Sequence, residues 1–478
     1  MNYKLMLRML GRTLQLEALF LVLPFLVALF YREDPLPFLY TILLVALLGT
    51  ALTRLRSKPD FFSQEGYAVV GLIWLVLSLF GSLPFWFSGQ FASYVDCLFE
   101  TVSGFSTTGA SILTEVESLP RGILFWRSFS SWLGGMGVLI FTLAFLPKVG
   151  VRTHVLVQAE SPGPLSSKLV PKTAQSSQIL YLIYIVLTVL EILLLCLAGM
   201  PLYDSAVTTF ATVCTGGFSV MNTSIAAYGL PACEIIITVF MLLCSLNFAL
   251  FFLVLTGRWK QALGSDELRF FLAAVAGAIA VIFWNVRPLY DGVGETLRIV
   301  CFQVATVVST AGFSTVDFAL WPALSQTVLV LLMFLGGCAG STAGGLKASR
   351  ILLMLRGGLR SLRRLSHPRE VKVVKLDGKA VSESDLNTVF VFFSLYCLLL
   401  AGATALVSLD GGSLTTSFTA ALTCLSNVGP GLDAVGPMGN FAAFSPLNKL
   451  VLTLAMLVGR LEIFPILILL SPSTWKRN

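Results

Sequence analysis

Residues 101–111 read TVSGFSTTGAS, and this stretch decides the fold. It starts apolar, turns small and polar, and reaches Gly109 between two long apolar segments. It is too apolar at its start for a solvated loop. It is also too short to cross a bilayer, which takes about 20 residues of helix. Three more stretches share this character: TTFATVCTGGFSV (208–220), QVATVVSTAGFSTVD (303–317) and TAALTCLSNVGPGLD (419–433). Their glycines, Gly109, Gly217, Gly312 and Gly429, are 108, 95 and 117 residues apart. The chain therefore reads as an internal repeat. The unit is helix, short re-entrant segment, helix, four times over.

Outward from these loops the chain is apolar. Of 478 residues, 56% are hydrophobic and 12% charged, against about 25% charged in soluble domains. Apolar segments fall at 14–32, 37–53, 66–88, 122–147, 178–200, 233–256, 269–287, 323–353, 386–408 and 446–471. Each is long enough to span about 30 Å of hydrocarbon as a helix. The first two lie outside the repeat. The run 16–30 lacks a small-residue cleavage site and is expected to stay in the protein. The expected fold is an all-α polytopic membrane protein, with four pseudo-symmetric helix–pore-loop–helix repeats around a central pore. The expected units are 1–60 (two additional N-terminal helices), 61–160, 161–262, 263–379 and 380–478.

Orientation follows from Lys and Arg, which concentrate on the cytoplasmic side. With the N-terminus inside, 25 of the 32 basic residues fall in predicted cytoplasmic segments. Both termini are then cytoplasmic. Ten of these residues lie in 347–379, which reads as an anchor beside anionic membrane lipid or as a docking surface for a cytoplasmic partner. The nine cysteines contain no C-x-x-C pair and are expected to pack rather than bind metal.

Gapless alignment on the four glycines gives the loops a shared chemistry. Two positions before each sits Thr107, Thr215, Thr310 or Asn427, and one before sits Thr108, Gly216, Ala311 or Val428. A cation stripped of water needs replacement oxygens, and backbone carbonyls supply them without fixed charge. Glycine opens backbone angles closed to other residues. The apolar half of each loop fits a short helix whose partially negative C-terminal end favours a cation. Asp96, Asp204 and Thr416, thirteen residues before their glycines, are expected to be N-caps; Ile299 breaks the pattern in the third loop.

The pieces STTGAS, CTGGFS, STAGFS and SNVGPG resemble the four pore loops of the Trk/Ktr/HKT superfamily of potassium transporters. The two extra N-terminal helices resemble its Trk-type branch. The resemblance implies a K⁺ selectivity filter at Thr107, Thr108, Gly109, Thr215, Gly216, Gly217, Thr310, Ala311, Gly312, Asn427, Val428 and Gly429. Glycine in all four loops implies K⁺ over Na⁺. The paired glycines leave the second filter position open between Gly216 and Gly217. The resemblance further implies a homodimer and a separate cytoplasmic nucleotide-binding regulatory subunit. No nucleic-acid partner and no organic cofactor are expected.

Two more features stand out. The run GGCAGSTAGG (336–345) loads the eighth segment with Gly336, Gly337, Gly340, Gly344 and Gly345. Each glycine costs about 1 kcal/mol relative to alanine in a helix interior, so the segment reads as close helix crossing or as an unwound stretch. The resemblance implies an intramembrane gating loop here, including Ser341, Thr342 and Lys347. Arg460 is a charge in the last apolar segment and a functional candidate by default. Its simpler readings are a pair with Glu462 or with pore-loop carbonyls. The resemblance implies that it projects beneath the filter, as a barrier or gate.

Competing functions are an ion-coupled (H⁺ or Na⁺) symporter, a Na⁺-permeable pore and a membrane enzyme. Secondary transporters commonly carry two inverted halves, whereas this chain repeats four times in one orientation. The only histidines, His154 and His367, lie in predicted loops, and no H-E-x-x-H or G-x-S-x-G occurs, which argues against an enzyme.

Overall fold

A backbone crossing lipid must satisfy its own hydrogen bonds, so long apolar segments have to be helical. A computed structural model describes residues 3–55, 63–137, 173–368 and 373–475. Among them the only strands are the short pair Lys375–Leu376 and Lys379–Ala380. The basic segment 148–172, residues 138–147 and the terminal Lys476 and Arg477 lie outside the described residues. Among the described residues, six helices are long and apolar enough to cross a membrane, or eight if two sharply bent pairs each count as one span.

The first helix starts at Tyr3, earlier than its apolar segment, because Leu5, Met6, Met9 and Leu10 are buried. It packs on Leu36–Thr53 through Gly11 and Gly49. A Cβ on either glycine would lie 2.8 Å from the other's carbonyl oxygen. Small residues at such crossings let helix backbones approach closely.

Four short helices, Tyr94–Phe105, Leu202–Val213, Val293–Val308 and Leu414–Ser426, carry the apolar starts of the four loops. Each lies in sequence between two further helices: Ser63–Gly81 and Arg121–Gly135, Thr173–Leu197 and Pro231–Cys244, Asp266–Val286 and Ala323–Leu335, Glu383–Val407 and Pro446–Arg460.

Among the described residues, three of the expected spans are broken by a sharp bend or a non-helical stretch. Segment 233–256 breaks into Pro231–Cys244 and Phe248–Leu255, bent by 94°. Asn247 starts the second piece by accepting a hydrogen bond from the Ala249 amide at 2.9 Å. Segment 446–471 breaks into Pro446–Arg460 and Phe464–Leu470, bent by 119°, with Glu462 and Ile463 at positive φ. Segment 323–353 runs as Ala323–Leu335, a non-helical stretch 336–347, and Ala348–Ser366.

Candidate ion pathway

Each short helix ends where its loop begins, and three of the four end alike. The Thr107, Thr215 and Thr310 amides donate three residues back, to Gly104, Thr212 and Val307. In all four loops the next amide donates five residues back: Thr108 to Ser103, Gly216 to Ala211, Ala311 to Thr306 and Val428 to Thr423, at 2.8–2.9 Å. This is the Schellman arrangement, which requires a left-handed residue and normally takes glycine there. Here the left-handed residues are Thr107, Thr215, Thr310 and Asn427, with φ between 55° and 59°. Left-handed backbone costs a non-glycine residue about 1–2 kcal/mol, and such strain concentrates at functional sites.

Two residues on, Gly109, Gly217, Gly312 and Gly429 have φ of 77°, 63°, 85° and 96°. The residue between is not left-handed in any loop. Backbone that alternates in hand turns successive carbonyls toward one side. The glycines also explain how the loops meet. A Cβ on Gly109 would strike the Gly216 carbonyl oxygen, one on Gly217 that of Ala311, and one on Gly312 that of Val428. One on Gly429 would lie 2.7 Å from that of Thr108. The loops thus close into a ring in chain order, first to second, third, fourth and back. Each glycine is required twice, by its φ and by its neighbour's carbonyl. The ring also separates the paired glycines: Gly217 takes the position of Gly109, and Gly216 supplies the carbonyl that Thr108 supplies in the first loop.

On one side of the ring lies a vestibule of about 140 Å³, lined by the four ring glycines with polar groups such as Ser111 and Asn440. Side chains behind the ring fix the loop exits. Glu100 accepts from Arg127 Nε at 2.6 Å, the Ser111 hydroxyl at 2.9 Å and the Ile112 amide at 3.0 Å. Arg127 in turn donates to the Ser219 carbonyl at 2.8 Å and lies over the Phe218 ring. The third loop repeats the device without charge. Gln303 occupies the position of Glu100 and, with its amide turned, accepts from the Thr315 and Val316 amides. In the fourth loop Asn427 Nδ2 donates to Thr108 Oγ1 and to the Met456 carbonyl, both at 2.9 Å.

On the other side the glycine-rich stretch lies directly against the loops. The Gly344 amide donates to Thr310 Oγ1 at 2.7 Å and the Gly345 amide to the Ser426 carbonyl at 2.9 Å. Thr342 Oγ1 donates to the Val213 and Cys244 carbonyls at 3.1 Å. The break in the second unit supports the same stretch from behind. The Cys338 amide donates to the Ser245 carbonyl, and the Phe248 amide to that of Gly340. Gly336, Gly340, Gly345 and Lys347 have positive φ, while Gly337 packs on Ala343. Ser341 closes a local turn onto the Cys338 carbonyl. Lys347 Nζ bonds back to the Ala343 carbonyl.

Arg460 reaches this same region. It donates to the Gly134 and Gly135 carbonyls at 2.6 Å, to the Thr342 carbonyl at 2.9 Å and to Thr107 Oγ1 at 3.3 Å. Glu462 is not its partner, because Glu462 pairs with Arg350. The capping expectation also needs correction. Ser93 and Ser413 are the N-caps of the first and fourth short helices, accepting from the Asp96 and Thr416 amides. Asp96 sits one turn inside, where it answers with a bond from Ser93 Oγ and pairs with Lys449 at 2.7 Å. Pro201 precedes the second helix, with Asp204 in its first turn. The rule that singled out Arg460, a charge within apolar sequence, applies equally to Glu100 and Arg127, which the sequence reading passed over.

The TrkH family of cation transport proteins matches residues 37–477. The chain is 38% identical to the Trk system potassium uptake protein TrkH of Salmonella typhimurium, over all of both chains. It is 34% identical to the Trk system potassium uptake protein TrkG of Escherichia coli, over 98% of each. The crystal structure of the potassium transporter TrkH from Vibrio parahaemolyticus superposes with a TM-score of 0.90 at 34% identity, covering all of both chains. This chain belongs to the TrkH family of cation transport proteins.

Proposed function

We propose that the chain takes up potassium across the cytoplasmic membrane, by channel-like conduction through the ring of four loops. One observation carries the reading: in every loop the ring glycine faces the carbonyl of the next, so the ring closes only with all four in place. Carbonyls at 107–109, 215–217, 310–312 and 427–429 are then the groups that replace the ion's water. The short helices aim their partially negative ends at the ring, which favours a cation. The relatives' names, potassium uptake proteins of the Trk system, support the choice of ion. The stretch 336–347 and Arg460 form the gate, since they occupy the space against the ring and bond to its threonines.

In this reading the chain carries four repeats after its first two helices, with both termini cytoplasmic as the basic residues require. It works as a homodimer in lipid with a separate nucleotide-binding subunit. Expression in a bacterium lacking its own potassium uptake tests the reading. Growth at low K⁺ is expected, together with K⁺ uptake by vesicles holding the pure protein. Absence of both results refutes it.

A further inference from the structure

Glu267 and Asp266 open the helix Asp266–Val286, where a carboxylate normally serves its own helix's amide ends. Glu267 does something else. Its Oε1 accepts from the Ala339 amide at 2.7 Å and from the Ser349 amide at 3.1 Å. Ala339 is in the glycine-rich stretch, and Ser349 is in the first turn of the helix that follows it. The two donors bracket Gly340–Lys347, the part that touches the ring. One buried carboxylate oxygen therefore fixes both ends of the segment that lies against the loops. Bonds from amides to a charged acceptor are among the stronger hydrogen bonds in proteins.

The neighbouring Asp266 faces the other way. Its amide donates to Asp377 Oδ1 at 2.7 Å, and its Oδ2 accepts from the Asp377 amide at 3.0 Å. The same oxygen pairs with Arg356 at 2.7 Å, and Arg356 also donates to the Lys375 carbonyl at 2.6 Å. Asp377 is in the turn of the hairpin formed by Lys375–Leu376 and Lys379–Ala380. Val374, Leu376 and Val381 seat that hairpin on Leu353 and Val389. Two adjacent carboxylates thus hold a surface hairpin and a segment beneath the ring.

We propose that Glu267 is the positioning residue that keeps the 336–347 stretch closed beneath the ring, and that Asp266 ties this hold to the hairpin at the protein surface. The proposal rests on the gate assigned above. Movement of the hairpin pulls on Asp266 and, through the next residue, on both ends of the segment. A hairpin on the surface is a handle that another molecule can move. In the glycine-rich stretch only Gly340 is exposed, and it has no side chain to grip.

The test uses the full chain in proteoliposomes, with Rb⁺ flux as one readout. The second is thiosulfonate labelling of buried Cys338 in a chain whose other eight cysteines are replaced. Glu267→Ala is expected to raise flux on the order of tenfold and to speed labelling. Glu267→Gln, which keeps an acceptor oxygen, falls between it and the parent. Ser349→Pro removes one donor in a first turn where proline is tolerated, leaves the carboxylate intact, and is expected to raise both readouts by less. Asp266→Ala is expected to speed labelling as well. Parent-level flux and labelling in Glu267→Gln and Ser349→Pro overturn the latch even if Glu267→Ala fails to assemble. Unchanged labelling in Asp266→Ala removes the hairpin's part. A parent protein that passes no Rb⁺ refutes the conduction reading instead, and labelling still judges the latch.

Discussion

Arg460 donates a hydrogen bond to the backbone carbonyl of Thr342 at 2.9 Å, which ties the end of Pro446–Arg460 to the middle of the glycine-rich stretch. The same guanidinium holds the end of Arg121–Gly135 and reaches the first ring threonine. A single cation thus joins three separate segments beside the ring.

Removing it should loosen the pathway. Arg460→Ala is expected to raise cation flux in proteoliposomes. A hydrogen bond from a charged donor is worth about 1.5–3 kcal/mol, so losing one shifts a closed–open equilibrium by roughly tenfold or more. Arg460→Lys should give a partial rise, because a lysine ammonium cannot reproduce the planar fork that serves several carbonyls. Parent-level flux in both would leave this arginine a structural role alone.

A ring glycine should tolerate far less than the glycine beside it. Gly109→Ser is expected to lower discrimination of K⁺ over Na⁺, because the new Cβ displaces the Gly216 carbonyl. The left-handed backbone adds about 1–2 kcal/mol of strain. In the second loop Gly217→Ala should be far more damaging than Gly216→Ala. At Gly216 the added Cβ meets the Cys214 and Ser131 side chains, at 2.8 and 3.2 Å, which can shift. Relative K⁺ and Na⁺ uptake of the three variants measures this, and equal effects at 216 and 217 would contradict the ring assignment.

The Glu100–Arg127 pair predicts a stability effect. Both side chains are almost wholly buried, at 0% and 4% exposure, so neither can turn to water when its partner is removed. Glu100→Ala is expected to destabilise the protein by about 3–5 kcal/mol, the usual cost of breaking a buried pair. The double change Glu100→Gln, Arg127→Met should recover part of that loss. Thermal midpoints in detergent are the measurement, and a double variant no better than Glu100→Ala would count against pairing as the cause.

One carboxylate outside the spans gives a pH dependence. Donation from Ser413 and Thr416 holds the Asp433 carboxyl below the usual carboxylate range. A depressed value in the folded state means a contribution that is complete above the unfolded value, about 3.9. It is lost as pH falls through the lower folded value. Stability of the fourth loop should therefore be flat near neutrality and decline in acid. Asp433→Asn is expected to flatten part of that decline in melts between about pH 3 and pH 7.

Much of the loop ring was legible because its parts recur. Four glycines at similar spacing, each preceded by small polar residues, mark the loops in the sequence alone. Arg460 was legible as a charge in apolar sequence. Asn247 was not, because one polar residue barely lowers the hydropathy of 233–256, and the groups that bond to the glycine-rich stretch across the 94° bend are the backbones of Ser245 and Phe248. Asp96 is the third residue of its helix rather than the cap, and the true caps Ser93 and Ser413 both lie 16 residues before their glycines, three further back than the position taken for the caps. Glu267 looked like an ordinary acidic helix start, and its partners lie 72 and 82 residues away.

The sequence by itself determined that this is a helical membrane protein with four glycine-centred loops, because hydropathy and the backbone freedom of glycine are local properties. Only the tertiary structure decided which glycine of the second loop belongs to the ring, which carbonyls Arg460 holds and what Glu267 grips. Each depends on backbone groups from segments far apart in the chain. A carbonyl looks the same at every position of a sequence, so its role appears only when folding sets it against a particular partner.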